Sequence, residues 1–323
     1  MTFLACIEAD TPISRESHLN AHDIEPFVVS KISFSSCAYF KQNYDGNIWK
    51  HLRYDFKPDL WVWLGDNAYS DGNDMNYKRR KYNEARENEY YKKYGPIGLP
   101  KIPVTGIWDD HDFSSNDLGM EYVCPELSQN EFCIHFNISS SDVRHPEHMP
   151  EEERQSGIYS SLVLPPPSQY HVNQDIAGVH IINLDTRSER SILNKYRGDC
   201  FMNGGGYHKS DFLQNEQWHW FAKQLFRIKS EIKVISSSVQ VLTPSDKKRL
   251  NNLCAYDGHN GTFMDAINEL GEDESWMRGE NLYVEKWSDI PIARAKVNLK
   301  IHYSLIFKFH TLFLVVEDGS NFY

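Results

Sequence analysis

Three short apolar runs along this 323-residue chain each break off at a residue able to hold a metal ion, and that recurrence limits the fold more than any other feature. Phe27-Val-Val-Ser-Lys-Ile-Ser-Phe34 alternates as a strand does and stops at Ser35-Ser36-Cys37. Leu60-Trp-Val-Trp-Leu64 ends at Gly65-Asp66, and Val104-Thr-Gly-Ile-Trp108 runs straight into Asp109-Asp110-His111-Asp112. Two more strands are predicted, at Val179 to Leu184, ending in Asp185, and at Ile232 to Ser236. Between these strands, the charged stretch Tyr77 to Lys93 reads as one exposed helix. Glu216 to Ile228 sets Trp218, Phe221, Leu225 and Ile228 at helical spacing. Strands alternating with helices imply an α/β fold with parallel βαβ units and a sheet covered on both faces. In such sheets a ligand binds outside the carboxyl ends of the strands, where the acidic and sulfur residues of this chain gather.

Each strand end has an ordinary reading beside the functional one. Gly65 lets the backbone turn sharply, so that Asp66 and the Tyr69 phenol can point at one centre; alone, the segment fits a plain β-turn equally well. Asp109-Asp110-His111-Asp112 crowds three carboxylates around an imidazole behind a buried strand, where their repulsion is costly unless cations compensate. The competing reading there is a solvated acidic turn. Cys37 is a thiolate candidate, although a lone cysteine is more often a small buried hydrophobe. It gains weight only when the other two strand ends are counted with it.

Composition excludes several classes. The net charge of −11 offers no positive field of the kind that holds a nucleic-acid backbone. No run approaches the roughly 18 apolar residues that span a bilayer. The start Met-Thr-Phe-Leu-Ala-Cys-Ile-Glu-Ala-Asp lacks a basic n-region, so a secretory signal is not expected and no compartment is assigned. Cys6, Cys37, Cys124, Cys133, Cys200 and Cys254 are widely spread without a C-x-x-C pair, which indicates neither a zinc knuckle nor a dense disulfide framework. Pro244 to Trp287, rich in Asn, Gly, Asp and Glu and without a clear period, reads as a long surface insertion.

Taken in order, Ser-Ser-Cys37, Gly-Asp66-x-x-Tyr69, Trp108-Asp-Asp-His111-Asp-(x3)-Asn116-Asp117, Leu184-Asp-Thr-Arg187, Glu216-Gln-Trp218 before a helix, and Trp287-Ser-Asp-Ile-Pro291-Ile-Ala-Arg294 resemble the PhoD-like (alkaline phosphatase D) metallophosphatases. Any one motif would be weak; their shared order, spacing and strand-end placement make the resemblance specific. It implies a four-layer α/β/β/α metallophosphatase sandwich over residues 27–316, after an extension at 1–26, with an insertion near 244–287 and an atypical tail at 317–323. It also implies hydrolysis of phosphate mono- or diesters by a binuclear centre, iron with calcium, and a metal-bound hydroxide. Carried over by position, Cys37, Asp66 and Tyr69 are the iron ligands, with Asp66 bridging to a second site. Asp110 serves that second site, and Asn116 is assigned to the same side. His111 is the catalytic histidine that donates to the leaving oxygen. Arg187 either grips phosphate oxygens or forms a salt bridge to Asp185 or a neighbour.

The sequence also departs from the family. The Gly-Asp-Val-His motif that supplies the last Asp and His to the metals is absent. Thr311 to Val316 fits the expected strand, but Glu317-Asp318-Gly319 follows it, and the sandwich is expected to be incomplete at its C-terminus. That strand, apolar on both faces, is expected beside Leu60 to Leu64 or Val179 to Leu184. Two functions follow: a hydrolase in which Glu317 or Asp318 replaces the lost ligands, weakly active and dependent on high added metal, or a non-catalytic relative acting as a binding or regulatory protein.

Overall fold

The structure is a computed structural model that describes residues 29–38, 46–98, 101–164, 177–191 and 211–239, together with Val297 and the backbone of His310–Val315. The extension at 1–26, the 244–287 insertion, Arg294 and the 317–323 tail lie outside the described residues.

Two small sheets form the centre. The first is parallel, with strand order β1 (Ile32–Ser35), β2 (Leu60–Leu64), β3 (Val104–Ile107). The second holds β4 (Ser160–Leu164), β5 (Ala177–Asn183), β6 (Ser230–Ser237) and β7 (His310–Val315), in that order. Only β4 runs antiparallel to its neighbour; β5, β6 and β7 are parallel. The α-helices among the described residues are α1 (Asn47–His51), α2 (Met75–Glu87), α3 (Glu89–Tyr94), α4 (Asp110–Phe113), α5 (Pro125–His135) and α6 (Asn215–Arg227).

β2 shows why the sheet sits where it does. All five of its residues are buried, and a strand sends alternate side chains to opposite faces. Leu60, Val62 and Leu64 join Leu164, Ile181 and Val234 of the second sheet in one apolar cluster. Trp61 and Trp63 face the other way, into a cluster with Trp49 of α1, Tyr91 of α3, Phe132 of α5 and Phe136 just after it. On the far side of the second sheet, Ile182 and Ile235 pack with Trp218, Phe221 and Leu225 of α6. The two sheets are also joined by the Asn183 amide, which donates to Thr105 Oγ1 at 2.9 Å.

Several expectations need correction. The first strand is shorter than its alternating pattern, since Val29 to Lys31 lie outside it. The helix read over Tyr77 to Lys93 is two helices, because the Asn88 side chain accepts from the backbone N–H groups of Tyr90 and Tyr91, both at 3.1 Å, and restarts the chain as an N-cap. The final strand does not lie beside β2 or β5. It pairs with β6, Val234 opposite Leu312 and Ile235 opposite Phe313, and β6 separates it from β5. β4 and α5 were not foreseen.

Candidate metal centre

Five of the parallel strands, β1, β2, β3, β5 and β6, deliver polar residues to one end of the molecule. After β1, the Cys37 N–H donates to Gly65 O at 3.3 Å and the Ala38 N–H to Asp66 O at 2.9 Å, so the first two exits run side by side. Cys37 and Asp66 both adopt positive φ, 53° and 51°, a costly backbone for residues other than glycine. Gly65, at φ 106°, has its own reason to be glycine. A Cβ there would lie 2.6 Å from the Cβ of Asp109, so the exits of β2 and β3 could not approach.

The three carboxylates after β3 have three different jobs. Asp112 is fully buried and serves as a brace: Oδ2 accepts from the N–H groups of Asn67 and Asp109 at 3.0 and 3.1 Å, and Oδ1 accepts from the Ala68 N–H at 2.9 Å. Asp109 turns to the second sheet, accepting from Arg187 Nε at 2.6 Å and Ser238 Oγ at 2.8 Å. Asp110 turns to the centre and accepts from the N–H groups of His111 and Asp117 at 3.0 and 2.6 Å. Lys78, with no exposed surface, ties the same loops by donating to Ser70 O, Ser70 Oγ and Asp112 O at 3.2, 3.1 and 2.6 Å.

Asp66, Asp110 and His111 converge, each offering one ligand atom within 4.8 Å of the others. Asp66 is buried, and its Oδ1 has no hydrogen-bond partner among the described residues. An orphaned carboxylate oxygen among other acids is costly without a cation. Burial first, then repulsion from Asp109, Asp110 and Asp112, pushes the Asp66 carboxyl well above its ordinary range. Burial drives Asp109 up to about 7 against the pull of Arg187. For Asp110, burial is outweighed by Arg187, His111 and the two backbone donors, which hold it below the usual value. Burial disfavours the His111 imidazolium, but the hydrogen bond it donates to Asp71 and the charges of Asp66 and Asp110 raise it to about 10.

The other expected residues are placed as follows. The Tyr69 hydroxyl bonds to Asp66 and Cys37, and burial together with those two groups holds its pKa well above normal. The Tyr69 ring lies 4.5 Å from that of His111. Cys37 accepts from Ser36 Oγ at 3.2 Å and stands outside the three-residue cluster, joined to it through Tyr69. Asn116 is exposed and donates to Asp117 Oδ2 at 2.8 Å. Arg187 is ion-paired to Asp109, with Nη2 4.0 Å from Asp110 Oδ1, so the neighbour anticipated for it is Asp109 rather than Asp185. Asp185 accepts instead from the Arg187 and Ser188 N–H groups and the Trp108 indole. A cavity of about 510 Å³ opens beside Cys37, lined by Phe34, Trp49 and Trp63, but Asp66, Asp110 and His111 do not line it. Sequence reasoning missed Asp71, whose Oδ1 lies 2.7 Å from His111 Nδ1, and the bracing by Asp112 and Lys78. No periodic signal marks a contact between residues some forty positions apart.

The chain is similar in fold to a solved structure of PhoD, with a TM-score of 0.53, covering 90% of this chain at 16% identity. The fold is PhoD-like. The chain spans about half of that PhoD structure, 51% of its length. No protein-family model and no curated protein sequence matches it. Within the PhoD-like fold, then, the chain presents a possible metal-binding cluster of Asp66, Asp110 and His111 at the carboxyl ends of β2 and β3. Among the described residues no helix is long and apolar enough to cross a membrane.

Proposed function

We propose that this protein is a metal-dependent phosphoesterase acting on phosphate mono- or diesters. The observation that carries the reading is the convergence of Asp66, Asp110 and His111 in a PhoD-like fold, with one buried Asp66 oxygen left without a partner. The reading extends to a four-layer α/β/β/α sandwich. It is supported by one apolar cluster between the sheets and one outside each of them.

The donor set suits a binuclear centre of iron and calcium. Cys37, Asp66 and Tyr69 would hold the iron, and Asp110, with Asn116 on the same side, the second ion. Hard carboxylate and phenolate oxygens with a thiolate fit a trivalent ion. The groups that now penalise Tyr69 ionisation, a buried setting beside Asp66 and Cys37, are those a cation would neutralise. Bound ions would supply Lewis acidity at phosphate oxygens and lower the pKa of water. This chain's own residues do the rest. His111, hydrogen-bonded to Asp71, gives its proton to the departing ester oxygen. Asp112 and Lys78 hold the Asp66 and His111 loops in register. Arg187 is proposed for phosphate binding only insofar as its guanidinium can give up Asp109; the short ion pair favours a counter-charge role that fixes the acidic turn.

The test is metal content of the purified full chain together with turnover of a chromogenic phosphodiester, before and after chelation. Turnover that falls on chelation and returns with metal supports the proposal. A protein that binds no metal and turns over neither mono- nor diesters refutes it, and tight metal binding without turnover favours the non-catalytic reading.

A further inference from the structure

Resting on the phosphoesterase reading, we propose that Asp71 is the positioning residue of His111: its carboxylate occupies Nδ1, which makes Nε2 the nitrogen that serves the reaction. The separation of Oδ1 and Nδ1 is 2.7 Å. Asp71 is half exposed, at 51%, and an isolated surface ion pair of that kind contributes little. The surroundings make it more than a chance encounter. Ser70, the residue before it, uses both its N–H and its Oγ to donate to His111 O, at 3.1 and 3.0 Å. Gly72, the residue after it, donates its N–H to Ser114 O at 2.7 Å. The backbone of Asp71 is therefore pinned on both sides to the helical turn that carries His111. Lys78 clamps the same two segments from beneath through Ser70 and Asp112.

The imidazole ring is consequently held at two points. Tyr69 lies against it, ring centres 4.5 Å apart and planes inclined by 40°, which limits its swing. Asp71 fixes the remaining rotation by engaging one nitrogen. A carboxylate that accepts from Nδ1–H leaves Nε2 as the nitrogen presented to other groups, whether the ring is neutral or charged. The proton that reaches the leaving oxygen is thus the one on Nε2. The Nδ1–H bond is kept throughout, and no proton passes to Asp71.

The experiment compares wild type, Asp71→Ala and Asp71→Asn in the full chain, with circular dichroism confirming the fold of each. In protein carrying ¹⁵N-labelled histidine, a slowly exchanging low-field ring N–H is expected and is assigned by its loss in His111→Asn. It should vanish in Asp71→Ala and persist, shifted, in Asp71→Asn, whose side-chain carbonyl still accepts. This readout is taken with chelator and again with calcium, and does not need turnover. In turnover, Asp71→Ala should lower kcat on alkyl phosphodiesters about 10- to 100-fold with KM nearly unchanged, with a smaller loss on nitrophenyl esters that leave without a proton and partial recovery in Asp71→Asn. A His111 ring signal untouched by Asp71→Ala, or equal losses on both ester classes, overturns the positioning role. A signal present in wild type and lost in Asp71→Ala, in a protein whose wild type hydrolyses neither ester, leaves the Asp71–His111 bond standing and refutes the phosphoesterase reading instead.

Discussion

His180 offers the sharpest measure of how the second sheet is built. It sits in the middle of β5, opposite Lys233 of β6, and both side chains have no exposed surface. Lys233 Nζ donates to the carbonyls of Gln224 and Ile228 at 3.3 and 2.5 Å, where it complements the C-terminal end of α6. Neither ring nitrogen of His180 makes a well-formed hydrogen bond among the described residues, although the nearby Gln224 side chain opposes the effect of burial in part. Burial, and then the neighbouring ammonium, pushes the imidazole down to about 4. An unfolded histidine protonates near pH 6.5, so between roughly pH 6.5 and 4 the unfolded chain takes up a proton that the folded chain refuses. Stability contributed by the neutral ring is therefore complete above that window and lost as pH falls through it. The full shift corresponds to about 3 kcal/mol, of which about 2 kcal/mol should be gone by pH 5. Urea unfolding of wild type and His180→Leu near pH 7.5 and near pH 5 isolates this contribution, because other titrating groups are common to both. The wild type should lose about 2 kcal/mol more than the variant between the two conditions. Parallel losses would show that His180 is solvated or paired in the folded state and would refute the reasoning.

Three further outcomes are expected. Asp66→Asn should abolish tight metal binding in equilibrium dialysis while leaving the chelated protein at least as stable in thermal melts, since a repelled buried carboxylate is removed. Asp112→Ala leaves the N–H groups of Asn67, Ala68 and Asp109 without their acceptor and should cost about 3 kcal/mol in denaturant unfolding, with weaker metal binding as the Asp66 loop loosens. If iron(III) is bound, the wild type should be coloured by a phenolate charge-transfer band, and Tyr69→Phe should lose the colour with its fold intact; a colourless, iron-free wild type with full hydrolase activity would remove Tyr69 from the ligand set.

What could be read in advance follows from which physical signals are local. β2, β3 and α6 are carried by uninterrupted apolar runs or a helical apolar stripe, and all three were found within a residue or two. α5 carries no such stripe because it buries polar side chains: Ser128, Gln129, Asn130 and Glu131 are all enclosed. Gln129 donates to the carbonyls of Arg144 and Gln155, and Glu131 pairs with Arg79 at 2.6 Å, so partners remote in sequence decide that helix. The placement of β7 was misjudged because an apolar strand fits equally well beside any neighbour, and sheet order is not written in one strand. At the centre, Asp66, Asp110 and His111 were legible from their positions at strand ends. The split of duties among Asp109, Asp110 and Asp112 was not, since it depends on what Arg187, Asp117 and Asn67 present from elsewhere.

The bridge from Asp109 to Arg187 and Ser238 has a consequence for heredity. Cys37, Asp66, Tyr69, Asp110 and His111 all precede β4, whereas the side chains that anchor Asp109 follow β5 and β6. A recombination event between β4 and β5 would therefore transmit every candidate donor intact and still replace the fastening that orients them. Chimeras joined there should inherit function only when the incoming half restores an arginine and a hydroxyl at those two places. In shuffled libraries of such proteins, the survivors should be linked at these three positions rather than at the donors themselves.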